Sequence, residues 1–264
     1  MTTQLQIDHI VIMVDDLAPA ITNYRALGFT TLEGGRHPDN PTHNALVVFQ
    51  DGVYLELIAL IPGDRIAPTP RLQKWIQASP GLVDFAMLPN DIEADVAAAR
   101  SRGLTIEDPQ PGGRERPDGQ RIVWQTANLP GNGLPFFCAD VTPRAWRVPE
   151  GLARQHPNGA TGLVDLTIAV ASLTESAAQY QALLGLEPQP SSTDDHLAAQ
   201  LTAFQLGQTT LTLAQPADQT SPLQPYLNAG GQRPYSFTLR IADTSAEPTR
   251  LDPNLTHGAQ IKLK

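Results

Sequence analysis

Val14, Leu17, Tyr24 and Leu27 recur as Val170, Leu173, Tyr180 and Leu183, each 156 positions further along the chain. One offset shared by a strand, a turn and a helix marks an internal duplication, and such a period constrains architecture before any single motif does. In the first copy the strand Ile7-Asp8-His9-Ile10-Val11-Ile12-Met13-Val14 leads through Asp15-Asp16-Leu17 into a helical stretch ending Tyr24-Arg25-Ala26-Leu27-Gly28-Phe29. Acidic residues suit a helix start and glycine a helix stop. Strands over 45–49 and 53–60 follow, separated by Gln50-Asp51-Gly52. Asp-Gly between apolar runs signals a hairpin, so the unit reads β-α-β-β.

The later copy continues with strands over 197–205 and 209–214 about the turn Leu206-Gly207-Gln208. A weaker copy lies between the two: a strand over 83–88, an alanine-rich helix over 92–102 closed by Gly103-Leu104, and strands over 121–126 and 134–139. A fourth copy is degenerate. Residues 235–241 supply its first strand, Glu247-Pro248 stands where a helix would need to run, and 259–264 supply one more strand. The 264 residues, which by length alone suit one large domain or two small ones, then divide into domains at 1–145 and 158–264 with a linker over 146–157. Pro143-Arg144-Ala145-Trp146-Arg147-Val148-Pro149 and Arg154-Gln155-His156-Pro157-Asn158-Gly159 are both too turn-rich for regular structure.

Composition removes several classes of function. Lys and Arg number 18 against 27 Asp and Glu, with no basic run, which argues against nucleic acid or an anionic membrane surface as partner. The single cysteine, Cys138, excludes an internal disulfide framework and a Cys-rich zinc site, and reads as a small buried hydrophobe. The first residues lack the basic and apolar regions of a signal peptide, and apolar runs are far shorter than a membrane helix needs. A soluble cytoplasmic protein of moderate size is expected. No phosphate-binding glycine loop and no Gly-x-Ser-x-Gly elbow is present.

The repeat, together with Ile7-Asp8-His9-Ile10-Val11, Thr42-His43-Asn44-Ala45-Leu46, Tyr54-Leu55-Glu56-Leu57-Ile58-Ala59, Leu134-Pro135-Phe136-Phe137 and His156-Pro157-Asn158-Gly159, resembles the glyoxalase-like domain family of the vicinal oxygen chelate superfamily. The resemblance covers most of 6–186 and fades over the last seventy or so residues. It implies an α+β fold in which paired βαββ units form curled mixed sheets about a cleft, the fourth unit being degenerate. Members often hold a divalent metal there, with ligands from the first and last strand of each unit. Their activities include isomerisation, epimerisation, oxygenation and glutathione addition, and some relatives only sequester a ligand.

Carried onto this chain, the four ligand positions fall at His9, Glu56, Asp84 and Phe136 or Phe137; the phenylalanines bind no metal. One imidazole and two carboxylates suit Zn²⁺, Mn²⁺, Fe²⁺ or Mg²⁺. In the second half the same positions hold Asp165, Thr212 and Phe237, a poor set. Each candidate also has a structural reading: His9 as a hydrogen-bonded pocket residue, Asp84 as the partner of a cap or turn. Glu56 stands out, because a carboxylate among Leu55, Leu57 and Ile58 is costly to bury alone.

Catalysis is assigned to Glu56 and His43, the latter at the cleft mouth, unless His43-Asn44 merely holds the strand entry. Substrate contacts are assigned to Asn44, Phe136, Phe137 and His156, with a turn-stabilising role as the alternative for His156. His37 is expected to be solvated. The stretch over 109–119 reads as a flexible loop whose Arg114 and Arg116 either cover an anionic substrate as a lid or simply meet solvent. The leading expectation is a lyase- or isomerase-type enzyme using metal-assisted enolate chemistry, ahead of a metal-free binding or sequestering protein. A partner-binding module, with the degenerate half as the interface of a homodimer, comes third.

Overall fold

The structure, a computed structural model, describes residues 5–78, 80–131 and 133–264. The first four residues, on which part of the reading of the N-terminus rests, lie outside them. Each of the first three units is a strand, a helix and then three strands, one more than the sequence suggests. The first comprises β1 (Gln6–Met13), α1 (Leu17–Ala26), β2 (Leu32–Arg36), β3 (Thr42–Val48) and β4 (Tyr54–Leu60). An inserted helix, α2 (Pro70–Ala78), leads to β5 (Gly81–Leu88), α3 (Ile92–Ser101), β6 (Gln110–Glu115), β7 (Arg121–Asn128) and β8 (Phe136–Asp140). Between the halves run a short helix, α4 (Arg144–Arg147), and a 3₁₀ turn (Gly151–Arg154). The third unit is β9 (Ala160–Ala169), α5 (Leu173–Leu184), β10 (Ser192–Asp194), β11 (Ala199–Leu206) and β12 (Thr209–Pro216). After α6 (Leu223–Gly230), the last unit keeps only β13 (Arg233–Ile241), β14 (Thr249–Arg250) and β15 (Gln260–Leu263). Among the described residues no helix is long and apolar enough to cross a membrane.

The first two units close into an eight-stranded barrel in the order β1-β4-β3-β2-β6-β7-β8-β5. Its weakest seam is β2 against β6, which pair only at Arg36 and Glu115. The last two units form a seven-stranded sheet, β10-β11-β12-β9-β13-β15-β14. The expected loop over 109–119 is in part strand: β6 pairs with β7 from Gln110–Thr126 to Glu115–Arg121. Glycine is a poor strand former, which hid this element. At Gly112 it is needed, because a Cβ there would come 2.5 Å from Trp124 Nε1.

One irregularity recurs in all four units. The register between β1 and β5 slips past Asp8 and past Val83, and that between β9 and β13 past Val164 and past Tyr235. A β-bulge puts two residues opposite one and re-aims the side chains beside it. Aligning the units on the bulge makes His9, Asp84, Asp165 and Ser236 equivalent, so Ser236 holds the position expected for Phe237, which lies in the core. Parallel pairing then fixes the other set. Glu56 faces Val11, Phe136 faces Ala86 and Thr212 faces Thr167, which selects Phe136 over Phe137 as the fourth position.

One apolar core runs through both halves, from Ile10, Phe85 and Phe137 to Leu166, Phe204 and Phe237. The halves are also tied by equivalent contacts. The hydroxyl of Tyr24 in α1 donates to the Thr256 carbonyl at 3.2 Å, and that of Tyr180 in α5 donates to the Gly133 carbonyl. Asn158 caps the end of α1 through the Leu27 carbonyl at 2.9 Å, and Arg102 caps α5 through the carbonyls of Ala182 and Leu183. Gly28 has φ +81° and lies so close to Asn158 that a Cβ would approach it to 2.9 Å. The Asp51 carboxylate, at the first hairpin, accepts from the Leu163 amide in β9 at 2.8 Å. Tyr24→Phe and Tyr180→Phe each remove a hydroxyl donor that ties the two halves together. Each should lower unfolding free energy by about 1–2 kcal/mol, read from urea denaturation.

Candidate functional site

Side chains alternate along a strand, so Thr42, Asn44 and Leu46 of β3 and Tyr54, Glu56 and Ile58 of β4 share one face. That face is the inside of the barrel, where they line a cavity of ≈ 900 Å³. Its other walls include His9, Trp124, Phe136 and Cys138, with Arg71 and Trp75 from α2 on one side. Residues 228–232, at the end of α6, complete the rim, so the second half contributes to the cavity of the first.

The bulge at Asp8 places two consecutive side chains in contact. The Nδ1 of His9 lies 2.7 Å from Asp8 Oδ2. Asp8 is fully buried, and burial alone would raise its pKa. Arg147, then His9 and Arg144, overcome that effect and hold the carboxyl well below its ordinary value. An ionised carboxylate only accepts, so the proton of the His9–Asp8 bond sits on Nδ1 and Nε2 faces the cavity side. There it lies 3.5 Å from Glu56 Oε2. Tyr54 stacks on the His9 ring at 4.6 Å and Phe136 meets it edge-on at 5.5 Å, fixing its plane.

Glu56 is 7% exposed. Its Oε1 accepts from Asn44 Nδ2 at 2.6 Å, and His37 Nε2 approaches the same oxygen to 3.7 Å. Burial pushes the pKa of His37 below 6.5 in spite of Glu56. Asp8, His9, Glu56 and Asn44 thus form one chain of polar groups leading from the barrel wall into the cavity.

Behind it lies an ion-pair cluster. Arg147 of α4 donates to Asp8 at 2.7 Å, to Asp140 at 2.5 Å and to the Tyr54 hydroxyl at 2.8 Å, and Arg144 donates to Asp8 at 2.6 Å. The stretch expected to be a plain joint therefore inserts two arginines into the first barrel.

The remaining expected site residues scatter. Asp84 lines the cavity, but Arg71 grips both its oxygens at 2.6 and 2.9 Å and Trp75 Nε1 donates to it at 2.7 Å. His43 alternates with Thr42 and Asn44 and is outside the cavity lining. Phe136 lines the cavity, whereas Phe137 is in the core. His156 is remote from it. Its Nδ1 accepts from the Thr30 amide and its Nε2 donates to the Val48 carbonyl, both at 3.0 Å, between Phe29 and Phe49. Cys138 lines the cavity with a thiol that burial keeps protonated.

Sequence reading missed His37, Asp8, Tyr54 and Arg147, and gave Arg114 either as part of a lid over an anionic substrate or as solvated. The period-two pattern through Tyr54 and Glu56 could have found Tyr54. Nothing local marks the arginines, whose partners are distant in sequence.

His156 supplies a pH prediction. Burial lowers its folded pKa below the ordinary 6.5. On acidification the unfolded chain takes up this proton first, so stability present above that value is lost as pH falls through the folded pKa. Thermal midpoints should fall from about pH 6.5 downward, and His156→Gln should remove part of that slope while lowering stability at pH 8.

A model of the glyoxalase-like domain family matches residues 7–184. Among solved structures, a hypothetical protein from Staphylococcus aureus superposes with a TM-score of 0.75 at 14% identity, covering 98% of this chain and 99% of that one. A mutant of 4-hydroxymandelate synthase from Streptomyces coelicolor gives a TM-score of 0.64 at 17% identity, over 92% of this chain and 72% of the other. At such identities the likeness is one of fold. No curated protein matches the sequence.

Proposed function

Because the chain belongs to the glyoxalase-like domain family of the vicinal oxygen chelate superfamily, we propose that it acts on a small oxygenated molecule held inside the first barrel. The reaction proposed is proton transfer at a carbon next to a carbonyl. The observation that carries this reading is the buried series Asp8–His9–Glu56, which opens into a cavity large enough for a drug-sized ligand.

The metal common in this family does not fit the residues present. Asp84 is committed to Arg71 and Trp75, and Phe136 fills the fourth position. Among the described residues no group of three or more His, Cys, Asp and Glu side chains is arranged to hold an ion. Proton chemistry therefore falls to side chains. Glu56 takes the proton from carbon, with Asn44 fixing the orientation of its carboxylate. His9, its Nδ1 proton held by Asp8, offers Nε2 to receive that proton and return it at another position. Ile58, Trp124 and Phe136 keep the surroundings poor in water, where fixed charges act more strongly.

A second reading, a protein that only holds a ligand, is favoured by the same commitment of Asp84 to Arg71. Incubation in D₂O with a panel of 2-oxo acids and 1,2-dicarbonyl compounds, followed by NMR, separates the two. Deuterium entering at the carbon beside a carbonyl faster than without protein is expected. No labelling and no consumption across the panel would overturn the enzymatic reading.

A further inference from the structure

We infer that the ligand of this cavity is an apolar monocarboxylate, anchored by Arg114. This deepens the proposed function and rests on the cavity assigned there. Arg114, on β6, is 3% exposed and lines the cavity. The other arginines of the cavity wall have carboxylate partners: Arg71 pairs with Asp84, and Arg147 with Asp8 and Asp140. Arg114 has no ion pair among the described residues. Its one hydrogen bond among them runs from Nη1 to the Gly34 carbonyl, and Nε and Nη2 have no hydrogen-bond partner among the described residues.

A guanidinium is always charged; Glu56 attracts it across the cavity, but among the described residues no carboxylate bonds its Nε or Nη2, and buried donors left unbonded are unfavourable. Its planar fork of donors matches a carboxylate bidentately, which an ammonium cannot do. The cavity that Arg114 enters also has apolar walls, among them Leu46, Ile58, Trp75, Trp124 and Phe136, which suit an apolar or aromatic body for the ligand. Glu56 lines the same cavity and carries the opposite charge. A monoanion is therefore drawn toward Arg114 and away from Glu56, which leaves its neutral carbon near the base.

Isothermal titration of the purified full chain with benzoate and with benzamide, its neutral isostere, tests this without turnover. Benzoate should bind wild-type protein at least tenfold more tightly. Arg114→Gln should abolish that preference, and Arg114→Lys should restore part of it. Equal affinities for the two probes, binding of neither, or a preference that survives Arg114→Gln would overturn the inference. The wild-type comparison stands even if the variants fold poorly. Failure here leaves proton exchange untouched, and absence of exchange leaves the carboxylate preference standing, so the two readings fail separately.

Discussion

Asp8→Ala should destabilise the protein by roughly 3–5 kcal/mol, the cost of removing one side of a buried ion pair, and chemical denaturation should show it directly. Asp8 is 0% and Arg147 3% exposed, and their oxygens and nitrogens meet at 2.7 Å. Removing the carboxylate leaves the Arg147 guanidinium with Asp140 as its one carboxylate among the described residues and strips Arg144 of its shorter contact, 2.6 Å to Asp8 against 2.9 Å to Asp140. It also frees the His9 ring to change tautomer. Asp8→Asn keeps the volume and one accepting oxygen, so its loss should be smaller. The wild-type carboxyl sits well below its ordinary 3.8, because Arg147, His9 and Arg144 outweigh burial. Its stabilisation is present above that value, where the unfolded chain is also ionised. It is lost as pH falls through the folded pKa, since the unfolded chain protonates first. The variant should lack this acid dependence.

Glu56→Gln should lower the rate of proton exchange by about 10²–10⁴-fold, the usual contribution of a positioned acid–base group. The amide has nearly the shape of the carboxylate and can still accept from Asn44, so the thermal midpoint should move little. His9→Gln should lose comparable activity. Tyr54→Phe should lose less, because it keeps the stacking surface on His9 and gives up only the hydroxyl that Arg147 meets at 2.8 Å. Activity falling in Glu56→Gln with binding retained separates a base from a residue that merely shapes the pocket.

The duplication was legible because helix and strand positions recur at one spacing, and the tyrosine pair at that spacing turns out to make equivalent contacts between the halves. Glu56 was legible for a physical reason: a charge in an apolar strand needs partners, and Asn44 and His9 supply them. His37 read as solvated, and Arg114 as solvated or part of a lid, because Gly34-Gly35 and Gly112-Gly113 disguise two strands as loops. Only the closed barrel turns Arg114 inward. The commitment of Asp84 was equally hidden. Its partners Arg71 and Trp75 come from α2, a helix inserted between units where the repeat predicts nothing. The domain limits at 145 and 158 remain a proposal, and the arginines of α4 show how closely the joint engages the first barrel.

Glu56, backed by His9 and Asp8, is proposed to move a proton without help from a bound metal. Deuterium incorporation into the labelled members of the carbonyl panel, measured side by side for wild type and Glu56→Gln in the presence of EDTA, tests it most directly. The wild type should incorporate deuterium at a rate that EDTA leaves unchanged, and the variant should lose at least about a hundredfold. Incorporation undiminished in Glu56→Gln, or abolished in the wild type by EDTA and restored by a divalent cation, would contradict it.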